Sequence, residues 1–188
     1  MSIVLASASP RRRELLEMMG LKFEIIPAKD ELDAEGLSPA DAVAKIALGK
    51  AMSVAKLRDK DDLVIAADTL VCLDGELLGK PKDETEAFEM LKKLSGNEHQ
   101  VYTGIAVSQG AKHASGAEMT KVRFCKMSDE DIRNYIATFE PMDKAGAYGI
   151  QGKGAVFIEG IEGDYFNVMG LPLHKLSLML KDFGFSLL

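Results

Sequence analysis

Leu5–Gly20, LASASPRRRELLEMMG, is the stretch on which the reading of the fold turns. The apolar run from Ile3 to Ala6 reads as a buried strand, and Ser7-Ala8-Ser9 turns the chain. Ser9 suits a helix N-cap and Pro10 the first helical position. Leu15, Leu16 and Met19 recur at helical spacing, and Gly20 ends the helix. The expected unit is strand, loop, helix, with Arg11, Arg12 and Arg13 crowded into the first helical turn. Cations there oppose the helix dipole, at a cost of a few tenths of a kcal/mol each, about 0.3 or more. Free backbone amides, the dipole and guanidinium forks together suit phosphate. The plainer alternative is a solvated helix end in which Arg13 pairs with Glu17.

At 188 residues the chain is expected to form one domain, 1–188, with room for two lobes and a sizeable core. Hydrophobic residues make up 47% and charged residues 28%, the profile of a globular protein. A net charge of −6 argues against a bulk nucleic-acid or membrane-surface binder, so an anionic ligand must be met by local basic groups. The apolar runs are too short to span a bilayer, and the N-terminus has no signal-peptide pattern, so the expected location is cytoplasmic. Cys72 and Cys125 read as reduced, buried thiols. His99, His113 and His174 show no zinc-ligand spacing.

Phe23–Pro27 reads as a second strand leading into the acidic run Asp30-Glu31-Leu32-Asp33-Ala34-Glu35. That run is either a solvated loop or a source of oxygen ligands for Mg²⁺. Ser38-Pro39 opens a helix reaching about Leu57, with Val43, Ile46, Val54 and Leu57 as its apolar stripe. Lys50 falls on that stripe, so it either snorkels to the rim or points into a polar pocket. Leu63–Ala67 is a short continuous apolar strand ending in Asp68-Thr69. A carboxylate at a strand's carboxyl end is a catalytic candidate. Extended sequence continues through Leu73, and Asp74-Gly75 supplies a hairpin turn into Glu76-Leu77-Leu78. Lys80 follows in the loop Gly79-Lys80-Pro81. Asp83 caps a conventionally charged helix with Ala87, Met90, Leu91 and Leu94 on one face.

Gln100–Gln109 and Met119–Met127 read as strands joined by a loop containing Gly, Ser and His. Ser128-x-x-Asp131 resembles a capping box ahead of an amphipathic helix bearing Ile132, Tyr135, Ile136 and Phe139. Asp143–Gly154, DKAGAYGIQGKG, is rich in glycine but matches neither a Walker loop nor the dinucleotide fingerprint. It offers a ring at Tyr148 and an amide at Gln151, and an amide carries both donor and acceptor for a base edge. Ala155–Ile158 and Tyr165–Met169 read as a terminal hairpin, and Pro172 starts a last helix.

SASPRRRELL, AADTLV, LGKP, LSGNEHQVYTG, EPMDKAGAYGIQG and VMGLPL, in this order and spacing, resemble the Maf family of nucleoside triphosphate pyrophosphatases nearly end to end. The resemblance implies an α/β fold with a mixed central sheet flanked by helices. It further implies two lobes with a nucleotide-binding cleft, similar to the inosine triphosphate pyrophosphatases. The implied reaction is metal-dependent hydrolysis between the α- and β-phosphates, with Mg or Mn as the divalent cation and a nucleoside triphosphate as partner. By motif position the catalytic base is Asp68, and the specificity residues are Arg11, Thr69 and Gln151, a combination resembling the dTTP/UTP branch. Phosphate ligands fall on Ser7, Arg12, Lys50 and Lys80, and metal ligands on Glu31 and Asp68, with Asp30 or Asp33 as alternative counterparts of Glu31. Two other functions stay open: a 7-methyl-GTP pyrophosphatase, and a non-enzymatic nucleotide-binding regulator of septum formation. Housecleaning of modified pyrimidine nucleotides fits the first branch, and family analogy allows a homodimer; no nucleic acid or membrane partner is expected.

Overall fold

β1 (Ile3–Leu5) is buried throughout and pairs in parallel on both sides, with β2 (Glu24–Ile25) and with β3 (Leu63–Leu73). Parallel neighbours require crossovers, supplied by α1 (Pro10–Met18) and α2 (Pro39–Ala55). The computed structural model describes residues 1–29 and 34–188, so Asp30, Glu31 and Asp33 lie outside the described residues. The chain continues through β4 (Glu76–Leu78), α3 (Glu84–Leu94), β5 (Glu98–Gln109), β6 (Lys112–Phe124) and α4 (Asp129–Ile136). It closes with β7 (Ile158–Glu162), α5 (Tyr165–Met169) and α6 (Leu173–Asp182). Among the described residues the strands form one seven-stranded sheet in the order β2-β1-β3-β5-β6-β7, with β4 also paired to β3. β4 and β7 run antiparallel to their neighbours, so the sheet is mixed, as the fold class requires.

The chain divides into two compact units. Unit 1 holds Met1–Asp68, Thr103–Glu118 and Gly170–Leu188; unit 2 holds Thr69–Tyr102 and Met119–Met169. In unit 1, Val4, Ala6, Val64, Ala66 and Ala106 of the sheet pack against Ala47, Ala51 and Val54 of α2. Small side chains let α2 lie close to the strands. At Gly104 on β5 the approach is closest: a Cβ there would stand 2.0 Å from the Val43 carbonyl oxygen. The buried face of α2 therefore runs through Ala47 and Ala51. Ile46, expected on the stripe, is only half-buried, and Leu57 is 74% exposed beyond the helix end. In unit 2, α3 and α4 cover a core that includes Leu91, Leu94, Phe124, Ile132 and Phe157. His99 is wholly buried there, its Nε2 sharing a 2.8 Å hydrogen bond with the Tyr148 hydroxyl and its ring edge-on to Phe124.

Most elements follow the sequence pattern, and four departures have local causes. The loop expected at 110–118 is a tight turn at Gly110-Ala111 followed at once by β6, because ladder pairing outweighs the weak strand preference of Ala114, Ser115, Gly116 and Ala117. Tyr165–Met169 is the helix α5 rather than a strand, with the Asp164 carboxylate accepting from the Phe166 N–H at its start. Ala155–Phe157, expected as strand, belongs to a 3-10 turn at Lys153–Phe157, leaving Ile158 to open β7. Phe139 leaves the α4 face: the helix ends at Ile136, Phe139 turns the chain with a φ of 59°, and its ring is 69% exposed.

Two outcomes test this packing. Gly104→Ala forces backbone against backbone, and chemical denaturation should show a loss on the order of 3 kcal/mol or more. Burial draws the His99 pKa from 6.5 down to about 4. As pH falls from 6.5 to 4 the unfolded chain takes up a proton that the folded chain excludes, so stability falls through that window by about 3 kcal/mol. Urea midpoints measured across the window should show a flatter descent for His99→Gln than for the parent.

Candidate functional site

The chain leaves β1 at Ala6, whose N–H donates to the Ile65 carbonyl (2.8 Å), and turns through Ser7–Ser9 into α1. β2 lies on one side of β1 and β3 on the other, so this is a topological switch point, where open α/β sheets take ligands. The parallel register ends at Leu5–Ile65, and β4 pairs only with Val71–Leu73. Asp68-Thr69-Leu70, between those stretches, form a half-buried run in an otherwise buried strand. The strand runs on past Asp68 to Leu73, the extended continuation that the sequence indicated. What ends is its pairing with β1, and that leaves the carboxylate accessible.

Lys50 meets it there. Its Nζ donates to Asp68 Oδ1 at 2.6 Å, with the two side chains 25% and 18% exposed. Of the two expected outcomes for a lysine on that stripe, the polar one holds. Arg12 donates through Nε to the Gly170 carbonyl (2.8 Å) and through Nη1 to Ser7 Oγ (3.0 Å). Ser7 is 8% exposed, and its Oγ also accepts the Ser9 N–H (3.2 Å). Burial lowers the Arg12 pKa to about 10, with Asp68 opposing and Arg11 adding to the shift, so the guanidinium remains charged at neutral pH.

The α1 N-terminus differs from those of α2, α3 and α4. Ser38, Asp83 and Ser128 each accept a backbone N–H through their side chains, whereas Ser9 does not. The sequence expected a Ser9 cap; its side chain makes no such bond, and its carbonyl accepts the Arg13 N–H (3.2 Å). No acid stands in that turn either. Arg11 is half-buried beside Arg12, while Arg13 reaches Glu17 at 2.7 Å, as its spacing foretold. Unit 1 thus brings together Ser7, Arg11, Arg12, Lys50 and Asp68. A carboxylate beside the two cations fixed by hydrogen bonds, Lys50 and Arg12, can hold a phosphate chain and orient a water toward it.

The remaining candidates belong to unit 2. Thr69 is half-buried, and Lys80 and Gln151 are exposed. The Gly146 N–H donates to the Gly79 carbonyl (2.9 Å), which ties the loop carrying Lys80 to the glycine-rich stretch. Tyr148, read from sequence as a ring available to a ligand, is core instead, 5% exposed and bonded to His99. Among the described residues no three His, Cys, Asp or Glu side chains converge on a metal position. Among the described residues gathered here Asp68 supplies a carboxylate donor, which fits a Mg²⁺ or Mn²⁺ ion that takes one or two carboxylates plus substrate phosphates. Sequence reading missed the Gly170 carbonyl as the anchor of Arg12. VMGLPL marks the segment, but a backbone acceptor leaves no trace in residue type.

A family model described as Maf-like protein matches residues 2–183. A dTTP/UTP pyrophosphatase from Pelotomaculum thermopropionicum is 52% identical over 189 residues, covering 99% of this chain and 98% of that protein. Another, from Thermoanaerobacter sp., is 53% identical over 183 residues, covering 96% of both. Among solved structures, a HAM1 protein from Coxiella burnetii aligns with a TM-score of 0.55 at 15% identity, over 97% of this chain and 99% of that one. One from Staphylococcus aureus gives 0.54 at 17% identity, over 97% and 99%. At such identities the two structures establish a shared fold.

Arg12→Lys keeps the charge but cannot span both the Gly170 carbonyl and Ser7 Oγ. With the buried carbonyl losing its donor, urea unfolding should show a loss of about 2 kcal/mol.

Proposed function

We propose a specific reaction for this chain from one premise: the chain belongs to the Maf family. It acts as a dTTP/UTP pyrophosphatase, hydrolysing the bond between the α- and β-phosphates to release the nucleoside monophosphate and pyrophosphate. The observation that carries the reading is the Lys50–Asp68 pair at 2.6 Å at the β1/β3 switch point, beside the arginine-bearing start of α1. Support for the substrate comes from relatives of about half-identical sequence and full coverage that carry that name. The whole span 1–188 works as one Maf-like domain, in the cytoplasm, on free nucleotides.

Asp68 orients the attacking water and takes its proton. Lys50 has three N–H donors; one goes to Asp68, and the others are directed to phosphate oxygens. Arg12 is pre-set by its bonds to Gly170 and Ser7, so its charge meets the phosphates without reorganisation. Ser7, the α1 amides and Lys80 complete the phosphate grip. Arg11, Thr69 and Gln151 read the pyrimidine edge. Asp68, with Glu31 as second ligand, would hold a divalent cation, which would supply charge screening for the triphosphate and polarisation of the bond to be broken.

The test is pyrophosphate release from dTTP, UTP, CTP and 7-methyl-GTP, with and without Mg²⁺. dTTP and UTP should be preferred by about tenfold or more, and Asp68→Asn should lower release from dTTP by about a hundredfold or more. A preference for 7-methyl-GTP, or negligible turnover with metal, would overturn the reading. An Asp68→Asn rate within a few-fold of the parent would remove Asp68 as the base.

A further inference from the structure

Gln151 sits in a turn whose backbone is organised around two side chains that the proposed chemistry does not use. Tyr135, in the last turn of α4, donates its hydroxyl to Glu140 Oε1 (2.8 Å) and accepts the Gly149 N–H (3.1 Å). Glu140 Oε1 also accepts the Gly154 N–H (3.1 Å), and Oε2 accepts the Lys153 N–H (2.9 Å). Amides on both sides of Gln151 therefore converge on one carboxylate and its phenol. Gly152 closes the wrap: its φ is 133°, and a Cβ there would fall 2.7 Å from Glu140 Oε2. Burial pushes the Glu140 carboxyl up, but the Lys153 and Gly154 amides, Tyr135 and Lys144 outweigh it, holding it below its ordinary value. Tyr135 is pushed upward, chiefly by burial, so it stays a donor.

We propose that Tyr135 and Glu140 are positioning residues that set the Gln151 turn and, through it, which base the site accepts. The proposal rests on the role assigned to Gln151 in the reading above. A carboxylate is suited to this place because it only accepts, and every group facing it donates. An amide of the same size would turn an NH₂ toward a backbone N–H or the phenol. The turn would then shift by a fraction of an ångström, while Asp68, Lys50 and Arg12 all belong to the other unit and keep their own bonds.

The experiment compares Glu140→Gln, Gln151→Ala and the double variant in steady-state kinetics with dTTP, UTP and CTP. Glu140→Gln should raise KM for dTTP by about tenfold and narrow the discrimination against CTP, with kcat within about threefold of the parent. The double variant should match Gln151→Ala within about twofold, because one residue acts through the other. Tyr135→Phe, which removes one hydroxyl and nothing else, should move KM in the same direction by a smaller factor, and it carries the test if Glu140→Gln does not fold. A uniform loss of kcat for every nucleotide, or effects that multiply in the double variant, would overturn the proposal. If Gln151→Ala alone leaves KM and selectivity at parental values, the role of Gln151 falls, independently of whether Glu140 organises the turn.

Discussion

The close approach of α2 to the sheet is the constraint on which the site depends. A helix normally stands off a sheet by the thickness of its side chains. Here the facing residues are Ala47 and Ala51, and at Gly104 the strand offers no side chain at all. Val43 rests its backbone on that glycine, and Lys50 lies two helical turns further along. A bulkier seam would lift the helix, and the ammonium with it, away from Asp68. The 2.6 Å ion pair is thus fixed by small residues that carry no charge.

The two units treat buried polarity differently. Unit 1 gathers charge at the end of β1 and leaves part of it accessible: a carboxylate, a lysine and two half-buried arginines at an uncapped helix start. In unit 2 the enclosed polar groups serve the structure. His99 and Tyr148 share a hydrogen bond inside a cluster of rings, and Glu140 is enclosed by amides. Charge left near solvent is open to a ligand, whereas charge that shapes a turn is saturated by the turn itself.

Much of this was legible in the sequence, for identifiable reasons. The caps at Ser38, Asp83 and Ser128, the hairpin at Asp74-Gly75 and the Arg13–Glu17 pair all involve residues a few positions apart, so local pattern suffices. Lys50 could be singled out because a charge on an apolar stripe needs an explanation. Its partner could not be chosen from spacing, since Asp68 lies on another element. Tyr148 was misread because a tyrosine among glycines looks available; only the fold places His99 against it. Tyr135 looked like one more apolar position of an amphipathic helix, and its hydroxyl bonds depend on a turn that the helix pattern does not describe. β6 ran longer than its composition suggested because strand pairing is decided by the neighbour.

Arg12 is held by a carbonyl 158 residues further along the chain. Closing a loop of that length costs entropy that only late, cooperative packing can offset, so this bond belongs to the slow end of assembly. During synthesis β1, the loop and α1 emerge well before Gly170, with Ser7 already beside Arg12 but the distant carbonyl not yet made. Until the segment around Gly170 has left the ribosome, the bond from Nε to that carbonyl cannot form, whatever the local bond to Ser7 contributes. The earliest-made part of the site is therefore among the last to acquire its working shape.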